Sequence, residues 1–196
     1  MGPISVLCIK ASDDVAKDRL GIFSNNNKSN PKYYDYKDKD IATVESDLSS
    51  LDYEVGVIFD DNGKAISCQL GIEDEVRFTK YQAKLMKGKD VTHNHPLSTP
   101  PSPEDLYLLV DNEANSFRTC GKNGSYVLES SEETKNLPKF DVFSDKYDEI
   151  VSELQPKYME MVSNGMDKEQ ALIQLGEEAW DELYKIYKVK PFFERR

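Results

Sequence analysis

The distribution of apolar residues predicts strands in the middle of the chain. Segment 53–59 is rich in β-branched and aromatic residues, and segment 64–70 can form a return strand. The Asp-Asp-Asn-Gly sequence at 60–63 between them is typical of a tight turn, so the two segments predict a β-hairpin. Residues 89–92 predict a further short strand that leads into the histidine at position 93.

Helices are predicted on both sides of these strands. Residues 40–51 and 76–88 each predict a short helix. Ser102 followed by Pro103 is typical of a helix start, with Ser as the N-cap and Pro at the first helical position. Apolar residues then follow at helical spacing. They are Leu106, Leu109, Val110 and Phe117, and the helix can end before the last of them.

The character of the sequence changes near residue 130, after a second predicted hairpin over 117–128. Beyond this point, one apolar helical stripe is expected to be interrupted or kinked at Pro156. A second amphipathic helix begins at the capping-box sequence 167–170. The stripe of the first helix consists of Tyr147, Ile150, Val151 and Leu154, and that of the second of Ala171, Leu172, Leu175, Ala179, Leu183 and Ile186.

These elements predict the α/β class, with a mixed β-sheet flanked by helices and a C-terminal helical extension. The length of 196 residues fits one domain of ordinary size with appendages. We expect residues 1–50 to form an N-terminal extension packed on the core, including a polar loop at 24–39. Residues 51–130 then form the central domain, and residues 131–196 form the helical extension.

The charge balance restricts the classes of partner. The 25 basic and 36 acidic residues give a net charge of -11, which repels phosphate backbones, so no nucleic-acid partner is expected. No apolar run is long enough to cross a membrane, and no signal peptide is evident. The three scattered cysteines favour a reducing compartment over a disulfide framework. We therefore expect a cytoplasmic protein without a membrane partner; the sequence leaves the oligomeric state open.

The chain contains only two histidines, at positions 93 and 95. Residues two apart in a strand point to the same face, so both imidazoles can reach one metal ion. A catalytic zinc site needs three protein ligands and a water molecule. Asp105, at the start of the helix that follows a Pro-rich loop, is the natural third ligand. The pattern therefore predicts a Zn²⁺ site of His93, His95 and Asp105 that lowers the pKa of a water molecule towards neutrality.

Each of these features also has a structural interpretation. Paired histidines occur by chance on many protein surfaces, and Ser102-x-x-Asp105 is by itself an adequate capping box. Their occurrence together within residues 93–105, in a chain with no other histidine, favours the metal site.

Hydrolysis also requires a general base, and Glu54 is the leading candidate. It interrupts an apolar strand, where an unpaired carboxylate would be costly. Alternation places it on the same face as Gly56 and Ile58, and Gly56 leaves room beside it. The alternative interpretation is a glutamate on an edge strand that faces solvent. The fallback bases are Glu73, Glu75 and Glu104.

The order of these residues resembles the JAB/MPN domain with its JAMM zinc-metalloprotease motif, in which an upstream Glu precedes His-x-His-Pro and Ser-x-x-Asp. The tetrapeptide at 93–96 is most similar to RadC-like members. Thr92 and the five residues between Pro96 and Ser102 resemble JAB-like domains associated with phage head-morphogenesis proteins. This loop is shorter than in RadC and eukaryotic members, so the resemblance predicts the metal site better than it predicts the substrate pocket. The resemblance covers residues 51–129 and implies a cytidine-deaminase-like sheet.

The resemblance also implies roles for the site residues. His93, His95 and Asp105 would bind zinc, and Glu54 would deprotonate the water bound to it. Ser102 would stabilise the oxyanion formed as water attacks a carbonyl. Related enzymes cleave amide or isopeptide bonds next to ubiquitin-like tails. The expected activity is therefore that of a zinc-dependent metallopeptidase or isopeptidase acting on a protein or peptide, with ubiquitin-like proteins as one substrate class.

A second function is compatible with the same resemblance, because RadC-like domains often lack an assigned peptidase activity. The chain could instead be a non-catalytic JAB-like binding protein of phage or mobile-element origin that acts on a host or phage partner. Two other zinc or metal families are set aside. HNH nucleases do not carry their motif residues contiguously, and the motifs of zinc deaminases, His-x-Glu and Pro-Cys-x-x-Cys, are absent here.

Overall fold

The structure is a computed structural model that describes residues 36–72 and 75–196. The predictions that concern residues 1–35, which include most of the N-terminal extension and of the loop at 24–39, lie outside the described residues. The same is true of Glu73, one of the fallback bases.

The described part of the chain contains a six-stranded sheet with the order β2-β1-β3-β4-β5-β6. Strands β3 and β4 run parallel, whereas the other neighbouring pairs are antiparallel. The predicted mixed sheet is therefore confirmed, and both hairpins form. The strands are β1 (Val55–Phe59), β2 (Ala65–Leu70), β3 (Asp90–Asn94), β4 (Ser116–Gly121), β5 (Gly124–Glu129) and β6 (Phe192–Arg195).

The helices flank this sheet, and two of them are shorter than predicted. The helix expected over 76–88 begins only at Lys80, because Thr79 and Gln82 form a capping box that fixes its N-terminus. The helix expected over 40–51 ends at Leu48. The helices are α1 (Ile41–Leu48), α2 (Lys80–Leu85), α3 (Pro103–Asp111), α4 (Glu132–Lys135), α5 (Phe140–Ser163) and α6 (Lys168–Tyr187).

The predicted interruption at Pro156 does not occur. Helix α5 continues through this residue to Ser163. Pro156 lies on the exposed side of the helix, where solvent can compensate for the backbone hydrogen bond that proline cannot donate.

Two apolar clusters cover the two faces of the sheet. Ile58, Val91 and Phe117 point to one face, where they pack against residues of α3, α5 and α6 such as Leu106, Phe143 and Trp180. Val55, Val57 and Phe59 alternate to the other face and pack against Val44 and Leu48 of α1. The C-terminal helices thus share one core with the central strands. The domain boundaries at residues 50 and 130 remain predictions.

None of the helices in the described part of the chain is long and apolar enough to cross a membrane.

Candidate metal centre

The two histidines lie at the end of the central strand β3. His93 pairs with Gly56 of β1 on one side and with Thr119 of β4 on the other. His95 follows one residue after the strand ends. The Nε2 atoms of the two imidazoles are 2.9 Å apart. Both rings therefore converge on one point, as the two-residue spacing predicts, and both residues are buried.

Asp105 reaches the same point from the first turn of α3. Its Oδ1 atom lies 3.4 Å from Nε2 of His93, and its Oδ2 atom lies 3.5 Å from Nε2 of His95. Donor atoms about 2.1 Å from a zinc ion at the corners of a tetrahedron would be roughly 3.4 Å apart. The two contacts of Asp105 match this separation, although each of its oxygens faces a different histidine, whereas the two Nε2 atoms are closer together than two ligands of one ion would be.

A capping box sets the orientation of the Asp105 carboxylate. The backbone N–H of Ser102 donates to Asp105 Oδ2 at 2.8 Å, and the backbone N–H of Asp105 donates to Ser102 Oγ at 3.2 Å. The helix start over Ser102 and Pro103 is thus formed as predicted. The structural and functional interpretations of this motif are compatible, because the carboxylate that caps the helix also faces the histidines. The predicted role of Ser102 towards an oxyanion stays a prediction.

The charges at this point favour a cation. Burial lowers the pKa of the His93 imidazole to about 4, although the Asp105 carboxylate acts in the opposite direction. Burial alone would raise the pKa of Asp105, but the two histidines and the Ser102 backbone N–H together lower it. Asp105 is fully buried, and its Oδ1 atom has no hydrogen-bond partner among the described residues. A charged carboxylate beside a neutral imidazole, shielded from water, fits a bound metal ion.

Glu54 precedes β1 and lies beside the two histidines. One carboxylate oxygen of Glu54 and one ring nitrogen each of His93 and His95 all lie within 4.8 Å of one another, so the three residues form a group that could hold a metal ion. Glu54 is 3% exposed, and β1 is paired on both sides. The alternative of a solvent-facing glutamate on an edge strand is therefore wrong.

The remaining fallback bases have other surroundings. The carboxylate of Glu75 binds the guanidinium of Arg77, with a hydrogen bond of 3.0 Å between Oε2 and Nη2. Glu104 is buried at the start of α3, next to Asp105 in sequence. Among the described candidates, Glu54 is the one that joins both histidines in one group.

A threonine orients His95, and the sequence did not point to it. The Nδ1 atom of His95 lies 3.0 Å from the carbonyl oxygen of Thr99 and 2.9 Å from its Oγ1. A metal-binding histidine usually donates its other ring N–H to such a partner. Thr99 lies in the Pro-rich loop, and only its sequence proximity to His95 could have suggested this contact.

Two phenylalanines lie on the face of the sheet that carries the histidines. The ring of Phe117 lies 5.2 Å from that of His93. Phe78 lies over Gly56, where an added Cβ would clash with the Phe78 ring. The room that Gly56 was expected to leave is thus occupied by an aromatic ring. This ring helps to exclude water from the cluster formed by Glu54, His93, His95 and Asp105.

No protein-family model, no curated protein and no solved structure matches this chain.

Proposed function

We propose that this chain is a zinc-dependent hydrolase of the JAB/MPN type that cleaves an amide or isopeptide bond in a protein or peptide substrate. The observation that carries the proposal is the convergence of two histidine nitrogens and an aspartate oxygen, with a glutamate carboxylate beside them. This set matches the order of residues in the JAMM motif, and the mixed sheet with flanking helices is compatible with that domain.

Zinc is the metal that best fits the proposed ligands. Two imidazoles and one carboxylate, contributed by His93, His95 and Asp105, are a ligand set found in catalytic zinc sites. When bound, zinc would lower the pKa of a water molecule and make it a nucleophile at neutral pH. A site with two histidine ligands and no cysteine thiolate is also compatible with other divalent ions, so elemental analysis is part of the test.

The chain's own residues would supply the remaining chemistry. Glu54, held near the metal ligands in a buried setting, would accept the proton of the attacking water and later transfer it to the leaving amine. Ser102 would donate a hydrogen bond to the developing oxyanion. The resemblance to the JAMM family supports substrates with a ubiquitin-like C-terminal tail as the first class to examine.

The test measures zinc content and the rate of hydrolysis for three variants of the full chain. Glu54→Gln should keep equimolar zinc and lose at least about 100-fold in kcat on a panel of isopeptide-linked substrates, the lower range for loss of a general base. His95→Ala should lose both zinc and activity. Glu75→Gln is the matched control, because its carboxylate binds Arg77 outside the cluster. Wild-type protein without a metal ion, or Glu54→Gln with full activity, would overturn the proposal.

One observation favours the second candidate function, a non-catalytic JAB-like binding protein of phage or mobile-element origin. His93, His95, Asp105 and Glu54 are at most 4% exposed, and the Glu54 carboxylate is close enough to act as a fourth ligand. A zinc site closed by four protein ligands is structural. In that case Glu54→Gln would weaken zinc binding, and the wild-type protein would bind its partner without cleaving it.

A further inference from the structure

The residue between the two histidines holds the chain on both sides of Glu54. The Asn94 side chain accepts a hydrogen bond from the Val55 backbone N–H at 2.8 Å through Oδ1. It also donates one to the Tyr53 carbonyl through Nδ2, again at 2.8 Å. Asn94 is 1% exposed. One buried amide therefore fixes the two peptide groups that flank Glu54.

The position of this amide in the sheet explains why a side chain is needed. The backbone ladder between β1 and β3 pairs Ile58 with Val91, Val57 with Thr92 and Gly56 with His93. The next pair in this register would be Val55 with Asn94. At that position the side-chain amide of Asn94 takes the place of a peptide group and extends the ladder by one step. The extension reaches the backbone of the two neighbours of Glu54.

The other side of Glu54 is held by the chain that follows β2. The Glu54 backbone N–H donates to the carbonyl of Ile72 at 2.7 Å, and the Gly71 N–H donates to the Glu54 carbonyl at 2.9 Å. The main chain at Glu54 is therefore bound on one side by 71–72 and, through its two neighbours, on the other side by Asn94. The second contact originates in the strand that carries the histidines, so it sets the distance from Glu54 to them.

We propose that Asn94 is a positioning residue that fixes the Glu54 carboxylate relative to the metal ligands. This inference rests on the proposed function, in which Glu54 acts next to the bound metal. Asn is suited to the task because its amide offers one acceptor and one donor, as a peptide group does. Displacements of about 1 Å at a reacting group can cost roughly 100-fold in rate, so such a constraint matters.

Cobalt(II)-loaded full-length protein provides the test, because its visible d–d bands respond to groups near the metal. Glu54→Gln should shift these bands, and Asn94→Ala should shift them as well. In the double variant that combines Glu54→Gln with Asn94→Ala, the second change should add no further shift, because Asn94 acts through Glu54. The cobalt Kd of Asn94→Ala should stay within about threefold of wild type, below the roughly 10- to 100-fold loss expected when a histidine's partner is removed.

Thr92→Val is the matched control for a purely structural effect. Thr92 is buried on the same face of β3 as Asn94, and its Oγ1 donates to Glu45 at 3.0 Å rather than to the segment 53–55. The Thr92→Val variant should have a lower free energy of unfolding than the wild type, but the same cobalt bands. Asn94→Ser, which is too short to bridge both backbone groups, replaces Asn94→Ala if circular dichroism shows that the alanine variant is unfolded.

The outcomes separate this inference from the proposed function. Wild-type protein that binds neither cobalt nor zinc overturns the proposed function and this inference with it. If the wild-type protein binds metal and Asn94→Ala shifts the bands equally with and without the Glu54→Gln change, this inference alone is overturned. The same holds if neither Glu54→Gln nor Asn94→Ala shifts the bands.

Discussion

The Nδ1 atom of His95 lies within hydrogen-bond distance of two oxygens of Thr99, 3.0 Å from its carbonyl and 2.9 Å from its Oγ1. Because a carbonyl can only accept, the proton is on Nδ1 whenever the imidazole carries a single one. The lone pair of His95 is then on Nε2, the atom that faces His93 and Asp105. The Pro-rich loop therefore sets the tautomer that metal binding requires.

This relationship predicts that Thr99→Val weakens zinc binding. The variant keeps the carbonyl acceptor and loses the hydroxyl, so we expect the zinc Kd to rise about 10-fold, the lower range for loss of a histidine's partner. Competition with a chromophoric chelator measures the change. Thr134→Val is the control, since Thr134 is also buried and hydrogen-bonded, but in the capping box of α4. An unchanged Kd in Thr99→Val would show that the carbonyl alone orients His95.

A second prediction concerns the support of this loop by the C-terminal helices. The Trp180 Nε1 atom on α6 donates to the carbonyl of Pro101 at 2.7 Å. Gly176, one turn earlier, lies against Pro100, and an added Cβ there would be 3.1 Å from the proline ring. Trp180→Phe should lower the free energy of unfolding by about 1–3 kcal/mol, because it leaves a buried carbonyl without its donor. It should also raise the zinc Kd, since Thr99 and Ser102 flank the released segment.

The control for Trp180→Phe is Tyr158→Phe, which removes another buried aromatic hydrogen-bond donor. The Tyr158 hydroxyl lies 2.5 Å from a carboxylate oxygen of Glu178 and 3.1 Å from the Gln174 carbonyl, where α5 contacts α6. Urea denaturation should show a loss of stability in both variants, while zinc competition should show a loss of affinity in Trp180→Phe alone. Equal zinc Kd values in the two variants would mean that α6 stabilises the fold without shaping the metal centre.

The elements that the sequence predicts well are those with a local signal. The hairpin turn at 60–63, the shared face of His93 and His95 and the helix start at Ser102 each depend on residues a few positions apart. The ends of helices are less well predicted, because the apolar pattern of 76–88 runs past the capping box at Thr79 that fixes the helix start.

The hydrogen bonds that hold the residues of the metal centre in place were not predictable, because they join distant parts of the chain. Asn94 contacts the segment around Glu54, about 40 positions earlier, and Trp180 contacts Pro101, which lies 79 positions before it. Neither residue lies in a motif or a periodic pattern that would identify its partner from the sequence. Composition alone could not show that the helices after residue 130 hold the loop between the histidines and Asp105.

A final prediction separates the role of Asp105 as helix cap from its proposed role as metal ligand. Asp105→Asn keeps an amide oxygen that can accept the Ser102 N–H, so the start of α3 should persist, but it removes the negative charge that faces His93. Zinc at about 100 times its Kd should stabilise the wild-type protein by roughly 2.7 kcal/mol. For a chain of this size, that corresponds to an increase in Tm of about 5–10 °C.

We expect Asp105→Asn to lose most of this zinc-dependent increase, whereas its Tm in a chelator should remain close to that of the wild type. Asp167→Asn provides the comparison, because Asp167 also accepts a backbone N–H at the start of a helix, from Gln170 at 3.0 Å, but is exposed and far along the chain from the cluster. Differential scanning fluorimetry with and without zinc measures all three proteins. If Asp105→Asn keeps the full increase, Asp105 serves α3 alone, and the third ligand must be Glu54, the other carboxylate beside the histidines.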